Sequence, residues 1–264
     1  MPERINRRQC AQDVAMLLRN ASVSPLSMCG FYLVLVFIFQ TVDYLLPDLG
    51  IPSYFISILV LLIGYVLEAG FRFYLMSVLR GDSCDYLDLF NGFSNAGRIV
   101  LLNLMTASLI LAQLFLFFIP GILAMYRYRF ALYNLLEHPD MSYAEAIHMS
   151  TLQTRGYRMQ LFNLDLSFFF WLFLAHLPNA IINTVILYPE LFSWENLITP
   201  PVIILANGLS LLISLFYIPK YLSMEIRYFE TAKRTSGVET PRTGSGRSAY
   251  DMNDFDDEEE SDDE

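Results

Sequence analysis

Long apolar segments separated by short polar ones make up most of the chain. An α-helix of about 20 apolar residues spans a hydrocarbon core of roughly 30 Å, whereas the strands of a membrane β-barrel would alternate apolar with polar residues. Because the runs here are continuous, we predict an all-α fold, a polytopic integral membrane bundle. The predicted spans are residues 26–42, 53–79, 101–118, 122–136, 161–187 and 201–221.

The number of crossings depends on residues 111–137, where an apolar run meets Pro120-Gly121 and an aromatic run with Arg127 and Arg129 follows. One long helix through this stretch would give five crossings. Two helices that turn at Pro120-Gly121 would give six, and the returning helix would carry both arginines into the membrane. Charged groups at that depth need water, snorkelling or a carboxylate partner.

The arginines and lysines between the spans favour the hairpin. Residues 80–98 and 138–160 both contain arginines, and the positive-inside rule places both segments in the cytoplasm. Only an even number of crossings can separate two segments on the same side. We therefore predict six transmembrane helices in three hairpins, in the cell membrane, with both termini cytoplasmic.

Two similar segments support this arrangement. FFIPGILAM at residues 117–125 resembles FYIPKYLSM at residues 216–224, and a second match aligns Arg72 with Arg129. Internal repeats are common in membrane folds. The alternative is chance similarity between short apolar strings.

Three polar segments predict helices outside the membrane. Residues 4–20 can gather apolar side chains on one face and arginines on the other, as in a helix that lies on a membrane surface. Residues 85–90 can form a short helix capped by Asp82 or Ser83. Ser142 and Glu145 form a capping box that begins a helix ending near Gly156.

Five charged residues within the spans form a candidate intramembrane polar cluster. Glu68 and Arg72 lie four residues apart, so they share one helix face and can pair. Arg127 and Arg129 need a carboxylate, and Glu68 and Asp165 are available. The cluster is either a functional site or a structural set of ion pairs.

Composition agrees with a membrane protein and isolates one acidic segment. The chain is 55% hydrophobic and 17% charged, with a mean hydropathy of +0.41, against about 25% charged residues in soluble domains. Residues 237–264 hold 11 acids and 2 bases, so they carry −9 of the net charge of −10. We predict an amphipathic arm (1–25), a transmembrane domain (26–230) and a disordered acidic tail (231–264).

We identify no catalytic, cofactor-binding or metal-binding motif. The chain has no phosphate loop, no HExxH zinc sequence and no GxSxG elbow. Its cysteines, Cys10, Cys29 and Cys84, lack metal-ligand spacing and predict free thiols. We therefore expect no enzymatic activity, no cofactor and no nucleic-acid partner.

The middle of the chain resembles a bacterial multi-pass family catalogued as domain of unknown function 975. The resemblance covers about residues 5–230 and is carried by IPG at 119–121, the Tyr/Arg-rich run after it, Pro139-Asp140, EAIxxS at 145–150, Gly156, LxLSFxxW at 164–171 and YIPKYLSMEIRYFE at 217–230. The chain departs from the family at 154–158, where TRGYR replaces a lysine-containing sequence, and in its acidic tail. The resemblance implies the fold and a membrane location, and it brings no established activity.

Two functions follow as hypotheses. The first is a non-enzymatic structural or partner-interaction module in the lipid bilayer, whose acidic tail contacts a protein partner. The second is a transporter or channel-like protein with a polar path lined by the intramembrane charges. The second requires these charges to converge on a cavity near the bilayer midplane, whereas the first is favoured if they pair off with no water-accessible route.

Overall fold

The computed structural model describes residues 5–19, 21–45, 51–188 and 199–237, and all regular structure within those ranges is helical. The predicted tail lies almost wholly outside them. The elements in chain order are α1 (Arg7–Arg19), α2 (Pro25–Leu45), α3 (Ile51–Arg80), a 3-10 helix (Tyr86–Phe90), α4 (Asn91–Ser94), α5 (Ala96–Leu116), α6 (Phe118–Arg127), α7 (Ala131–Glu137), α8 (Tyr143–Gln153), α9 (Arg158–Leu187) and α10 (Pro200–Ser236).

Five of the described helices, α2, α3, α5, α9 and α10, are long and apolar enough to cross a membrane. The predicted class, an all-α multi-pass membrane protein, agrees with this finding. Helix α10 packs against α1, α2, α3, α8 and α9, so it is the centre of the bundle.

Helices α3 and α10 each divide into two halves with different surroundings. Residues 66–79 of α3 and 217–232 of α10 are mostly buried, and α1, the 3-10 helix, α4, α7 and α8 pack around this part, which we call the core end. Residues 54–65 and 202–216 expose large apolar side chains, and we call this part the apolar end. Exposed apolar surface of this extent suits contact with lipid.

The N-terminal helix is amphipathic, as predicted, but its apolar face contacts protein. Cys10 and Val14 are buried, and α1 packs against α3 and α10. Arg7 donates a hydrogen bond from Nη1 to the backbone oxygen of Asn163 at 3.0 Å. The face predicted to lie on a membrane is therefore part of the core end.

The chain reverses direction at Phe117, three residues before the predicted Pro120-Gly121 turn. Phe117 has an extended backbone (φ −155°, ψ 136°) between α5 and α6. Pro120 lies in the first turn of α6, where its missing N–H costs no helical hydrogen bond. A Cβ on Gly121 would approach the Cα of Leu114 to 2.7 Å, so the glycine permits close packing of α6 on α5.

Two helix ends differ from the prediction in detail. The 3-10 helix is capped by Asp85 rather than Asp82 or Ser83: Asp85 accepts from the N–H of Tyr86, and Asp88 accepts from the N–H of Asp85, both at 2.7 Å. The Ser142 cap is confirmed, since its Oγ accepts from the N–H of Glu145 at 3.2 Å. At the other end of the chain, α10 continues to Ser236, so the segment predicted as tail begins with helix.

Candidate functional site

Helix α3 supplies the first ion pair of the site. Glu68 and Arg72 lie one turn apart, and the Oε1 of Glu68 accepts from Nη2 of Arg72 at 2.7 Å and from Nε at 3.1 Å. The predicted pairing of these two residues is confirmed. Arg72 also donates to the hydroxyl of Tyr133 at 2.6 Å, which connects α3 with α7.

A second carboxylate, Glu225 of α10, joins the two halves of the site. Its Oε1 accepts from Nη1 of Arg72 at 3.1 Å and from the hydroxyl of Tyr133 at 3.1 Å. Its other oxygen, Oε2, accepts from Nη2 of Arg129 at 2.9 Å. Because Glu225 is buried, these three donors replace the water that a carboxylate would otherwise need.

Arg129 and Asp165 form the second pair, with two-point geometry. Nη1 and Nη2 of Arg129 donate to the two carboxylate oxygens of Asp165 at 2.7 and 2.9 Å. Two tyrosine hydroxyls also donate hydrogen bonds to the carboxylate of Asp165, Tyr126 at 3.0 Å and Tyr221 at 2.8 Å. Tyr221 in turn accepts a hydrogen bond from Arg129. Bidentate arginine pairs of this kind fix orientation as well as charge.

These residues form one network, made of Glu68, Arg72, Arg129, Asp165, Glu225 and the tyrosines Tyr126, Tyr133 and Tyr221. The network draws on α3, α6, α7, α9, α10 and the turn between α6 and α7. It holds three carboxylates and two guanidinium groups, so its formal charge is −1. It is therefore both a connection between helices and a centre of negative charge.

A cavity of about 400 Å³ lies against the network. All five charged members line it, together with the side chains of Asn103 and Thr106 from α5. The side chains of Glu68 and Asp165 are 39% and 27% exposed, whereas those of Arg72 and Arg129 are each 15% exposed. The charge that the cavity presents to a solute is thus mainly negative.

A groove of about 370 Å³ between α2 and α3 adjoins the cavity. Tyr65 and Glu68 line both spaces, so they lie at the boundary between them. The groove extends past Gln40 to Asp43, whose Oδ1 accepts from the Oγ of Ser57 at 2.7 Å. Carboxylates therefore line the groove and the cavity from the apolar end to the core end.

Arg127 does not join the network, contrary to the prediction. Among the described residues it forms no ion pair, and its Nε is buried without a hydrogen-bond partner. Its place at the end of α6 turns its backbone carbonyl towards α8, where it accepts from Ser150 at 2.8 Å. Arg127 is the last residue of α6, whereas Arg129 lies in the turn before α7, so the two side chains point to different neighbours.

Glu225, the most buried charged member of the network, is not part of the predicted cluster. Glu225 lies in MEIRYFE, four residues after the predicted end of the last span. The available signal was its spacing from Tyr221 and Tyr228, which places a carboxylate on an aromatic helix face. Because α10 is continuous to Ser236, that face stays within the core end.

The cysteines outside the spans are poor nucleophiles. Burial raises the pKa of the Cys10 and Cys84 thiols, so less of the reactive thiolate is present near neutral pH. All three cysteines are free and buried. Within the described ranges, no three His, Cys, Asp or Glu residues gather in a group that could hold a metal ion.

Comparison with protein-family models, with curated protein sequences and with solved structures gives no match for this chain. The resemblance to domain of unknown function 975 therefore stays a prediction.

Proposed function

We propose that the protein is a multi-pass membrane transporter or channel-like protein whose cavity binds a small cation. One observation carries the proposal: charges predicted to lie within the membrane line a cavity of about 400 Å³, and the most exposed of them are the carboxylates Glu68 and Asp165. A site of this volume suits a small solute. Intramembrane charges that face a cavity often mark a solute path.

The adjoining groove supports a route for such a solute. Negative residues occur along it at Asp43 and Glu68, and a cation that moved between them would stay near a carboxylate. Tyr65 and Glu68, shared by both spaces, would control passage between groove and cavity. This route runs along α2 and α3 towards the apolar end.

Transport by the purified protein in liposomes tests the proposal directly. We expect uptake of at least one of three probes, K⁺, methylammonium or choline, above that of empty liposomes. Glu68→Gln and Asp165→Asn should each reduce the rate about tenfold or more, since they remove negative charge from the cavity wall. Asp140→Asn, an exposed change of equal charge, is the matched control. Equal uptake by the variants and the wild type would contradict the cavity as the route.

A structural or partner-interaction role is the second candidate. It is favoured because the guanidinium groups of the network already have hydrogen-bond acceptors within the protein. All three nitrogens of the Arg72 guanidinium donate hydrogen bonds, as do both terminal nitrogens of Arg129. If the three probes are not transported while Glu68→Gln and Asp165→Asn lower the unfolding temperature, the network is structural. Deletion of residues 237–264 then tests whether the tail recruits a partner.

We also propose six crossings, with α6 and α7 together as the returning segment and both termini in the cytoplasm. The support is that α5 and α8 begin at the same end of the bundle, where Nη2 of Arg98 donates to the carbonyl of Met141 at 2.8 Å. Labelling of single thiols in intact cells, in a background lacking Cys10, Cys29 and Cys84, tests this topology.

The two labelling positions are chosen from the structure. Phe117 lies at the reversal and is exposed, so Phe117→Cys avoids the clash with Leu114 that a side chain at Gly121 would cause. Ser142 is exposed in the segment before α8. We expect labelling of residue 117 from outside and of residue 142 from inside only. Labelling of both from the same side would exclude the hairpin.

A further inference from the structure

Two arginines that do not belong to the charge network each have a buried guanidinium nitrogen that donates no hydrogen bond. The Nε atoms of Arg127 and Arg158 have no hydrogen-bond partner, and only Ser210 and Ser223 share this condition among the described side chains. A buried donor without an acceptor is costly, and native proteins usually provide one. For a guanidinium group, the usual acceptors are carboxylates and phosphates.

Packing contacts bring these arginines together where α6, α8 and α9 meet. The ring of Tyr126, beside Arg127, packs edge-on against Phe162 with centroids 6.2 Å apart. Phe162 lies one turn after Arg158, on the same face of α9.

A third arginine lies at the same place. The carbonyl of Arg127 accepts from Ser150 at 2.8 Å and from Thr154 at 3.3 Å, and Thr154 directly precedes Arg155. The positive charges of Arg127 and Arg155 both act on Arg158. Three arginines from α6, from the segment after α8 and from the start of α9 therefore form one cluster.

The cluster lacks the carboxylate partners that Arg72 and Arg129 have. Arg72 and Arg129 each pair with two carboxylates, but no ion pair involves Arg127, Arg155 or Arg158 in the part of the chain that the structure describes. Three like charges repel one another unless an anion lies among them. The arrangement thus has both unused donors and unbalanced charge, and both would be satisfied by an anion with several acceptor oxygens.

The position of the cluster on α9 indicates the source of that anion. Arg158 begins the helix, and exposed apolar side chains follow directly at Met159 and one turn later at Phe162. Four residues rise about 6 Å along a helix, so the cluster lies at the level of lipid headgroups. Arginines at this level bind the phosphates of anionic lipids.

We propose that Arg127, Arg155 and Arg158 form a binding site for a phosphate group, occupied in the membrane by the headgroup of an anionic phospholipid. Arg127 and Arg158 hold the phosphate oxygens with their forked donors, and the exposed Arg155 adds charge at the rim. The proposal does not depend on transport, because none of the three residues lines the central cavity.

Binding is measured on the purified full-length protein in neutral detergent. The probes are dioctanoyl phosphatidic acid, dioctanoyl phosphatidylcholine and inorganic phosphate, and the readouts are the unfolding temperature and lipid retention by native mass spectrometry. We expect phosphatidic acid to raise the unfolding temperature and to be retained, and phosphatidylcholine to do neither. Equal stabilisation by inorganic phosphate would identify free phosphate, rather than lipid, as the source of the bound group.

Substitutions connect the effect to the cluster. Each arginine contributes about fivefold to the attraction of an anionic headgroup, so Arg127→Gln with Arg158→Gln should weaken phosphatidic acid binding about 30-fold. Arg155→Gln, at an exposed position, should weaken it about fivefold without loss of folding. The matched control is Arg19→Gln, an exposed arginine at the end of α1, which should bind as the wild type does.

Two results would overturn the proposal. The first is a wild-type protein that neither phosphatidic acid nor inorganic phosphate stabilises. The second is undiminished binding by both Arg155→Gln and the double variant. If the double variant does not unfold cooperatively, Arg155→Gln alone tests the cluster, because the exposed side chain of Arg155 can be replaced without loss of folding. Undiminished binding by Arg155→Gln would then overturn the proposal.

Discussion

The two halves of α3 have similar apolar content and different surroundings. Residues 54–65 expose most of their large apolar side chains, whereas residues 66–79 bury nearly all of theirs under the short helices of the core end. The charged network begins at the boundary between them, at Glu68. Buried polar groups need protein partners, and only the core end supplies enough of them. The hydrophobic pattern alone therefore does not distinguish a helix half packed in protein from one that faces lipid.

Loss of the central carboxylate should strongly destabilise the core end. Glu225→Ala leaves Arg72, Arg129 and Tyr133 each without one acceptor, and breaking a buried ion pair costs about 3–5 kcal/mol. We expect about 3 kcal/mol, since both arginines keep another carboxylate. Denaturant unfolding in detergent measures the change.

A matched control lies in the same helix. Glu230 pairs with Arg227 at 3.0 Å and is 24% exposed, so Glu230→Ala should cost less than about 1 kcal/mol. Similar losses for Glu225→Ala and Glu230→Ala would mean that the network is not specially stabilising.

Two leucines of α3 test the comparison between its halves. Leu75 is fully buried, and Leu75→Ala should lower the free energy of unfolding by about 2–5 kcal/mol through the cavity that it creates. Leu59 is 56% exposed at the apolar end, and Leu59→Ala should change the same quantity by less than about 1 kcal/mol. Comparable losses would show that residues 54–65 pack against protein as tightly as residues 66–79.

Much of the fold and part of the site follow from the sequence. Long apolar runs place the five long helices correctly because crossing a membrane requires length and apolarity, which are local properties. The Glu68–Arg72 pair was predictable because four-residue spacing is also local. The need of an intramembrane arginine for a carboxylate predicted Glu68 or Asp165 as the partner of Arg129, and the structure pairs it with Asp165.

The remaining features depend on tertiary packing. Glu225 follows a predicted span, and its burial results from α1, α7 and α8 covering the end of α10, which no local pattern of α10 contains. The rule for intramembrane charge applies equally to Arg127 and Arg129, but of these two only Arg129 pairs with carboxylates among the described residues. The direction in which each side chain points depends on where α6 ends and how the chain then turns towards α7.

Two glycines of α3 test how closely the helix backbones pack at the core end. A Cβ on Gly70 would approach the carbonyl oxygen of Leu89 to 1.9 Å, whereas a Cβ on Gly64, in the same helix, meets nothing within 4 Å. Gly70→Ala should therefore force α3 away from the 3-10 helix at a cost of about 1–3 kcal/mol. Gly64→Ala should be neutral or stabilising by up to about 1 kcal/mol, because alanine favours helix. Equal thermal stability of the two variants would contradict this contact.

The cap of the 3-10 helix should give the smallest effect, because it satisfies two backbone donors at the exposed edge of the core end. Asp85 accepts from the N–H of Tyr86, and Asp88 from the N–H of Asp85. Asp85→Ala should cost about 1 kcal/mol in unfolding free energy, as is usual for loss of a capping side chain. Asp82→Ala removes an equal charge three residues earlier and outside the capping box, so it should leave stability nearly unchanged. If Asp82→Ala proves the more damaging, the predicted cap at Asp82 is right and the capping box at Asp85 is wrong.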